Sequence, residues 1–372
     1  MKLKEKKTKK KNLIVFMPSM EGGGVEKNII LISNYLINFI KNITLITFDK
    51  KFSKSFDRRI KIIYPKNNKY TCSKYFKYYE CLKILFKEII NQRGSLVFSF
   101  QANIYCLILS KILNFKIIVR SNSSPTGWNK SFIKNFIFKI FLKKASSIIV
   151  NSFEFKNELD KKFNTNATVI YNPLNKNEII SKSKKFFHFN FFKSKKYLKI
   201  INIARFTDQK DQSTIIRAFN EINKKIDSKL LLMGYGKNKD LIINLIKKYK
   251  LTKIVKIIPY QNNPFKYLAM SDLFILSSIY EGLPNVLLEA LALKKFIISS
   301  NCPTGPREIL KNGKYGLLFK PGDYKDLTKK IHHFQKYKKK LNKKILDGFK
   351  SLNRFDYETN SKKYLNIVER HI

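Results

Sequence analysis

Acid is what this sequence has least of among its charges: 26 Asp and Glu stand against 75 Lys and Arg over 372 residues, a formal net charge of +49. Every Glu inside an apolar run therefore calls for a reason, because a buried carboxylate without a partner is costly. Cysteine is scarce and unpatterned. Cys72, Cys81, Cys106 and Cys302 show no CxxC spacing, which leaves buried free thiols in a reduced compartment as the expected account. His188, His332, His333 and His371 form no HxxxH or HExxH pattern. Asp-x-Asp is absent too, removing one common carboxylate pair for holding a metal and a nucleotide diphosphate. No metal site and no cofactor are expected. No interval reaches the roughly 20 apolar residues needed to cross a bilayer, because Asn and Lys interrupt even SLVFSFQANIYCLILSKIL. The opening MKLKEKKTKKKNLIVFMPSM imitates a signal peptide, but LIVFM is shorter than the roughly 7 to 15 residues of such a core. Residues 1–11 read as a basic tail entering a first strand, and the protein is expected in the cytoplasm.

The excess of positive charge invites a nucleic-acid reading, since clustered cations release counterions from phosphate backbones. Yet nearly all of it is Lys spread along the whole length, among abundant Asn, Ile and Phe. A codon bias toward A and T accounts for that profile as well as a designed patch does. Local concentrations say more than the total.

Short β-branched runs alternate with helical stretches almost from end to end. NLIVFMP, ITLITF, KIIY, LVFSF, KIIVR and SIIVN read as one series of strands; LKIINIA, KLLLMG, IVKIIP, LFILS and FIISS read as a second. Amphipathic segments such as VEKNIILISNYLINFI and DLIINLIKKYK lie between them. Apolar strands separated by single helices predict an α/β fold of two doubly wound, Rossmann-like parallel sheets with a cleft between them. YNPLNKNEIISKSKKFFHFNFFKSKKY, with an Asn-Pro turn signal and no strand period, separates the series. The expected division is an N-terminal domain at 12–171, a linker at 172–197, a C-terminal domain at 198–345 and a helical segment at 346–372.

Ligands of open α/β sheets sit beyond the carboxyl ends of strands, so the strand-to-helix turns carry the chemistry. The first is PSMEGGGVEKN, residues 18–28, where Gly22, Gly23 and Gly24 permit close backbone approach and aim N–H groups at an anion, or simply make a tight turn. It has neither the GK[ST] of a triphosphate loop nor GxGxxG spacing. The second is INIARFTDQKDQS, residues 201–213. Arg205 and Lys210 offer a planar fork and a point charge suited to adjacent phosphates, and Asp208 or Asp211 can cap the next helix. The third is YEGLPNVLLEALAL, residues 280–293. Glu281 and Gly282 form the turn, Pro284 suits the first helical position, and Glu289 lies in a helix apolar all round and therefore buried. Glu289 either pairs with Arg205 or Lys210 or grips a vicinal diol such as a ribose, with Glu281 touching a second polyol and the helix start facing a phosphate between them.

The Glu-x7-Glu pattern in EGLPNVLLEA, the RFTDQKD loop, the glycine turn and CPTGPREIL at 302–310 together resemble a retaining glycosyltransferase of family 4 with the GT-B fold. The likeness covers most of the chain, with its specific motifs in 197–330. It implies a C-terminal helix crossing back to the first domain. It also implies that Glu289 binds the ribose hydroxyls, that Glu281 contacts the donor sugar, and that Arg205 and Lys210 stabilise the departing diphosphate. Gly282, Leu283, Asn285, Val286 and Leu287 would lend contacts to the donor, and Gly23 and Gly24 would face it from the first domain. GPREI is similar to members that add a hexose or hexosamine to polyprenyl-diphosphate-linked saccharides. The resemblance implies a nucleoside diphosphate sugar donor, with UDP favoured, a saccharide acceptor, and no specific nucleic acid. Many relatives carry a histidine near the acceptor side; this sequence has none before His188. Its matching region is VRSNSSPTGW, where Arg120 and Asn122 either orient the acceptor or cap a loop.

CSKYFKYYECLKILFKEII and NKSFIKNFIFKIFLKK interleave Lys with aromatic and aliphatic residues. That is the composition of a helix resting in an anionic membrane interface, and equally of a core-facing stripe with solvated lysines. The first reading would hold the protein at the inner face of the plasma membrane. Two rivals remain: a sugar-nucleotide epimerase of the same architecture, which would want acid and base groups beside the sugar, and a non-catalytic basic nucleic-acid-binding protein.

Overall fold

The computed structural model describes residues 12–66, 73–122, 125, 132–194 and 196–372. The basic tail expected at 1–11 and most of the segment 123–131 lie outside the described residues. The chain divides into two compact units, one of Met1–Pro173 with Tyr357–Ile372, the other of Leu174–Asp356.

The first unit contains β1 (Asn12–Phe16), α1 (Gly24–Leu36), β2 (Asn42–Ile46), β3 (Lys61–Ile63), α2 (Lys74–Asn91), β4 (Leu96–Ser99), α3 (Asn103–Leu113), β5 (Ile117–Arg120), α4 (Phe132–Leu142), β6 (Ser147–Val150), α5 (Phe153–Phe163) and β7 (Thr168–Val169). The strands pair in parallel in the order β3-β2-β1-β4-β5-β6-β7. Their near-continuous apolar runs follow from burial on both faces. Alternate residues of β1 show it: Leu13 and Val15 enter a core with Ile29 and Ile32 of α1, whereas Ile14 and Phe16 meet Cys81, Leu85, Cys106 and Leu107 of α2 and α3. β1 thus serves two cores.

The second unit contains α6 (Lys176–Ser183), β8 (Leu198–Ile203), α7 (Gln212–Asn223), β9 (Ser228–Met233), α8 (Lys239–Lys248), β10 (Val255–Ile258), α9 (Phe265–Met270), β11 (Leu273–Leu276), α10 (Asn285–Ala292), β12 (Phe296–Ser300), α11 (Pro306–Ile309), β13 (Leu317–Phe319) and α12 (Tyr324–Lys350). Its strands are parallel in the order β10-β9-β8-β11-β12-β13. On one face, Leu198, Ile200, Leu230 and Leu232 pack against α7, α8 and α12. In each sheet the order reverses beside the first strand, between β1 and β4 and between β8 and β11. The loops that follow those strands form the switch points where α/β sheets receive ligands.

The stretch 172–197 folds for the most part with the second unit. From Leu174 onward it is grouped there and includes α6; Phe187 and Phe189 lie edge-on to Tyr267, with ring centres 4.4 and 5.1 Å away. α12 runs on to Lys350, past the expected domain end at 345. The final helix, α13 (Tyr357–His371), joins the first unit, where Tyr364, Leu365, Ile367 and Val368 enter the core under α1.

Candidate active site

In the second unit the loops after β8 and β11 are stitched together by main-chain atoms. Ile279 N donates to Gln209 O at 2.8 Å, Gln209 Nε2 to Tyr280 O at 2.8 Å, and Ser277 Oγ to Lys210 O at 2.7 Å. Asp211, in the left-handed region, caps α7 by accepting from Thr214 N, and burial raises its pKa above the usual carboxylate value. The cap fixes where the cationic loop ends. On its other side Gly234 and Gly236 approach so closely that a Cβ on either would meet the carbonyl oxygens of Ala204 and Phe206 at 1.9 and 2.3 Å. The loop carrying Arg205 and Lys210 is therefore held from three directions.

Lys210 and Glu281 meet in that frame. The Lys210 ammonium donates to Glu281 Oε1, and Ser278 Oγ donates to the same oxygen at 2.6 Å. Both side chains are largely removed from water, where a charge-assisted bond is stronger than a surface pair. The Glu281 main chain is pinned as well, its N–H donating to Pro303 O at 2.7 Å. Gly305 closes the turn from behind: at φ +89° its Cβ would lie 2.0 Å from Gly282 O. Burial, then the charge of Glu281, push the Cys302 thiol up to about 12. Arg205 stands exposed at the loop surface, and Thr207 Oγ1 is buried with no hydrogen-bond partner.

The helix α10 starts one residue later than expected, with Pro284 as its cap rather than its first residue (φ −70°, ψ 106°). Leu287 N donates to Pro284 O at 3.0 Å, so the backbone donor expected of Leu287 is already used. Asn285 and Val286 are half-buried, and Gly282 and Leu283 buried. Glu289 is 4% exposed within the apolar helix. Lys210 pairs with Glu281 and not with Glu289.

The first unit treats its predicted residues differently. Gly22 has φ +91°, as the turn requires, but its donors are not aimed outward. The buried Glu26 carboxylate accepts from Glu21 N at 3.0 Å, Gly22 N at 3.3 Å and Gly23 N at 2.9 Å. The cradle expected for an anion holds a side chain, and Gly23 has no N–H to spare; Gly24 opens α1. Met20 N, just before it, donates to Asp49 Oδ2 at 2.8 Å, and Asp49 is paired with Lys77 of α2 at 2.8 Å.

Arg120 is wholly buried. Its guanidinium donates from Nε to Tyr364 Oη at 2.9 Å, from Nη2 to Asn172 Oδ1 at 2.6 Å and from Nη1 to Asn122 Oδ1, and it lies over the Phe100 ring. Asn122 Nδ2 donates to Phe100 O at 2.7 Å. Arg120 and Asn122 thus tie the end of β5 to Phe100, Asn172 and Tyr364. Among the described residues no group of three or more His, Cys, Asp or Glu is placed to hold a metal.

Sequence reasoning missed Ser278, Gln209 and Gly305. Only the position of Gly305 before Pro306 signalled a helix start, and nothing in the spacing pointed to the serine.

Residues 183–347 match the family Glycosyl transferases group 1. That group 1 region contains Arg205, Lys210, Ser278, Glu281 and Glu289. An uncharacterized glycosyltransferase of Methanocaldococcus jannaschii, MJ1059, is 35% identical over 247 residues, 58% of this chain and 59% of that one. The N-acetylgalactosamine-N,N'-diacetylbacillosaminyl-diphospho-undecaprenol 4-alpha-N-acetylgalactosaminyltransferase of Campylobacter jejuni is 29% identical over 191 residues, half of each chain. The chain thus spans between half and three fifths of the length of these relatives. Anabaena Alr3699/HepE, solved with UDP and glucose, superposes with a TM-score of 0.80 at 17% identity, over 97% of this chain and all of that one. At such identity the likeness speaks to fold: two Rossmann-like parallel-sheet domains of the GT-B class.

Proposed function

We propose that this chain is a retaining glycosyltransferase of family 4. It would move a hexose or hexosamine from a nucleoside diphosphate sugar, with UDP the expected nucleotide, to a saccharide acceptor carried on a polyprenyl diphosphate, in cell-surface glycan synthesis. The observation that carries the reading is the meeting, at one switch point of the matched region, of a cationic loop and a carboxylate clamped by Ser278 and Lys210, with a second carboxylate buried in the helix that follows. A nucleotide sugar presents ribose, diphosphate and hexose in sequence. Glu289, the Arg205–Lys210 loop and Glu281 answer them in turn.

As the bond between anomeric carbon and phosphate breaks, negative charge grows on the diphosphate while the sugar becomes oxocarbenium-like. Preplaced Arg205 and Lys210 are then worth more in the transition state than before it. The leaving phosphate oxygen can take the acceptor hydroxyl's proton on the same face, so the reaction needs no enzymic nucleophile. These two cations supply the charge a metal would otherwise bring.

A lipid-linked acceptor agrees with the surface of the first unit. Tyr75 and Tyr79 of α2, Ile112 of α3 and Phe136 of α4 are each more than half exposed. Lys83 sits over the Tyr79 ring and Lys74 over Tyr78. Among the described residues no helix is long and apolar enough to cross a membrane, and the contact would be peripheral, with an anionic cytoplasmic leaflet.

The test is a thermal-shift panel of UDP, GDP and their sugars, followed by product analysis with a polyprenyl-diphosphate saccharide. Stabilisation by UDP-sugars and transfer to the acceptor are expected. Conversion of donor without acceptor would replace this reading by an epimerase; salt-sensitive nucleic-acid binding with no nucleotide shift would replace it by a binding protein.

A further inference from the structure

Glu281 uses its two carboxylate oxygens unequally. Oε1 accepts from both Ser278 Oγ and Lys210 Nζ, whereas Oε2 accepts from no described residue. The residue as a whole is 6% exposed. A carboxylate held by one oxygen in a largely buried turn has its plane and its open lone pairs fixed in advance, and preorganised groups of this kind decide how well a ligand hydroxyl is held.

Ser278 is built to do that holding. It is wholly buried, sits three residues before Glu281 and two beyond the end of β11, and its carbonyl accepts from Ser300 Oγ of the neighbouring β12 at 2.6 Å. The sheet thus fixes the serine main chain while its hydroxyl fixes the carboxylate.

We infer that Ser278 is a positioning residue. Its hydroxyl keeps Glu281 Oε1 engaged when Lys210 turns to the diphosphate, so that Oε2 stays aimed at a hydroxyl of the donor sugar. Ser278 therefore governs recognition of the sugar and not of the nucleotide. This rests on the glycosyltransferase reading of the same site.

The test compares wild type, Ser278→Ala and Ser278→Thr by calorimetric titration with UDP and with UDP-glucose, UDP-N-acetylglucosamine and UDP-N-acetylgalactosamine, followed by kinetics with whichever sugar wild type prefers. Ser278→Ala is expected to keep its affinity for UDP within about twofold and its melting temperature near that of wild type. It should lose roughly tenfold in kcat/KM, mostly through a raised KM, and forfeit the affinity difference between UDP-sugar and UDP, as removal of one bond to a charged group predicts. Ser278→Thr, which keeps the hydroxyl, should restore most of that loss. Equal weakening of UDP and UDP-sugar binding would make the serine merely structural and overturn the inference, as would an unchanged sugar preference in Ser278→Ala. If wild type binds UDP-sugars but the alanine variant behaves like it, the positioning role alone fails; if wild type binds no nucleotide, the glycosyltransferase reading fails first and takes the serine's role with it.

Discussion

At the scale of single residues, charge decides the outcome. Glu289→Gln keeps the shape of the buried side chain but replaces a carboxyl oxygen by an amide donor, and should weaken donor binding by about tenfold in calorimetric titration. Arg205→Ala should leave donor affinity within a few-fold while lowering turnover by about a hundredfold, the scale of losing one preplaced donor to developing charge. Unchanged affinity and rate in these two purified variants would remove both residues from the site. Cys302 offers a test of burial. With its thiol raised from 9.0 to about 12, the folded chain keeps a proton that the unfolded chain loses as pH climbs through that window, so this group's contribution to stability falls as pH rises from about 9 to about 12. At pH 8 the buried Cys302 thiol stays protonated and out of reach of solvent; iodoacetamide should spare the Cys302 peptide in native protein and label it in urea, as peptide mass spectrometry would show.

At the scale of elements, the turn behind Glu281 is where geometry is tightest. Gly305→Ala meets both a positive φ and a carbonyl 2.0 Å away, and should destabilise by about 2 to 4 kcal/mol. Gly322→Ala, at φ +75° with open space around it, should cost only about 1 kcal/mol. Thermal melts that rank the two the other way would show that close backbone approach is not what holds this turn. The same elements show what the linear sequence reveals. Eleven strands were legible because a short apolar run is a local pattern; β7 and β13 were not, being two and three residues long at the edges of their sheets. The placement of Arg205, Lys210, Glu281 and Glu289 followed from motifs at strand ends. What stayed hidden depends on pairs distant in sequence: Ser278 matters through where the sheet brings Lys210, the glycine turn is occupied by a carboxylate that composition cannot direct, and Arg120 finds Tyr364 only in the folded unit.

At the scale of the whole molecule, the two units draw on the chain unequally. Removing residues 357–372 strips Tyr364 from the buried Arg120 guanidinium and, with it, Leu365, Ile367 and Val368 from the core under α1. The truncated protein should lose the first unit's cooperative melt while 174–356 retains protease resistance; one unchanged transition would show that α13 is dispensable. For the exposed aromatic and lysine-bearing helices, flotation with anionic and neutral vesicles is the matching experiment. Binding to the anionic ones, weakened by salt, is expected; binding to neither would remove the membrane from the account.

The buried Arg120 also sets an order of events during synthesis. Its hydroxyl partner Tyr364 lies 244 residues further on, so at about 5 to 20 residues per second the ribosome takes roughly 12 to 50 seconds to deliver it. Throughout that interval the nascent first unit is waiting for its last helix, while the whole of Leu174–Asp356 is emitted in one piece. A cell making this protein has reason to shield the earlier-made half with chaperones until the later-made end arrives.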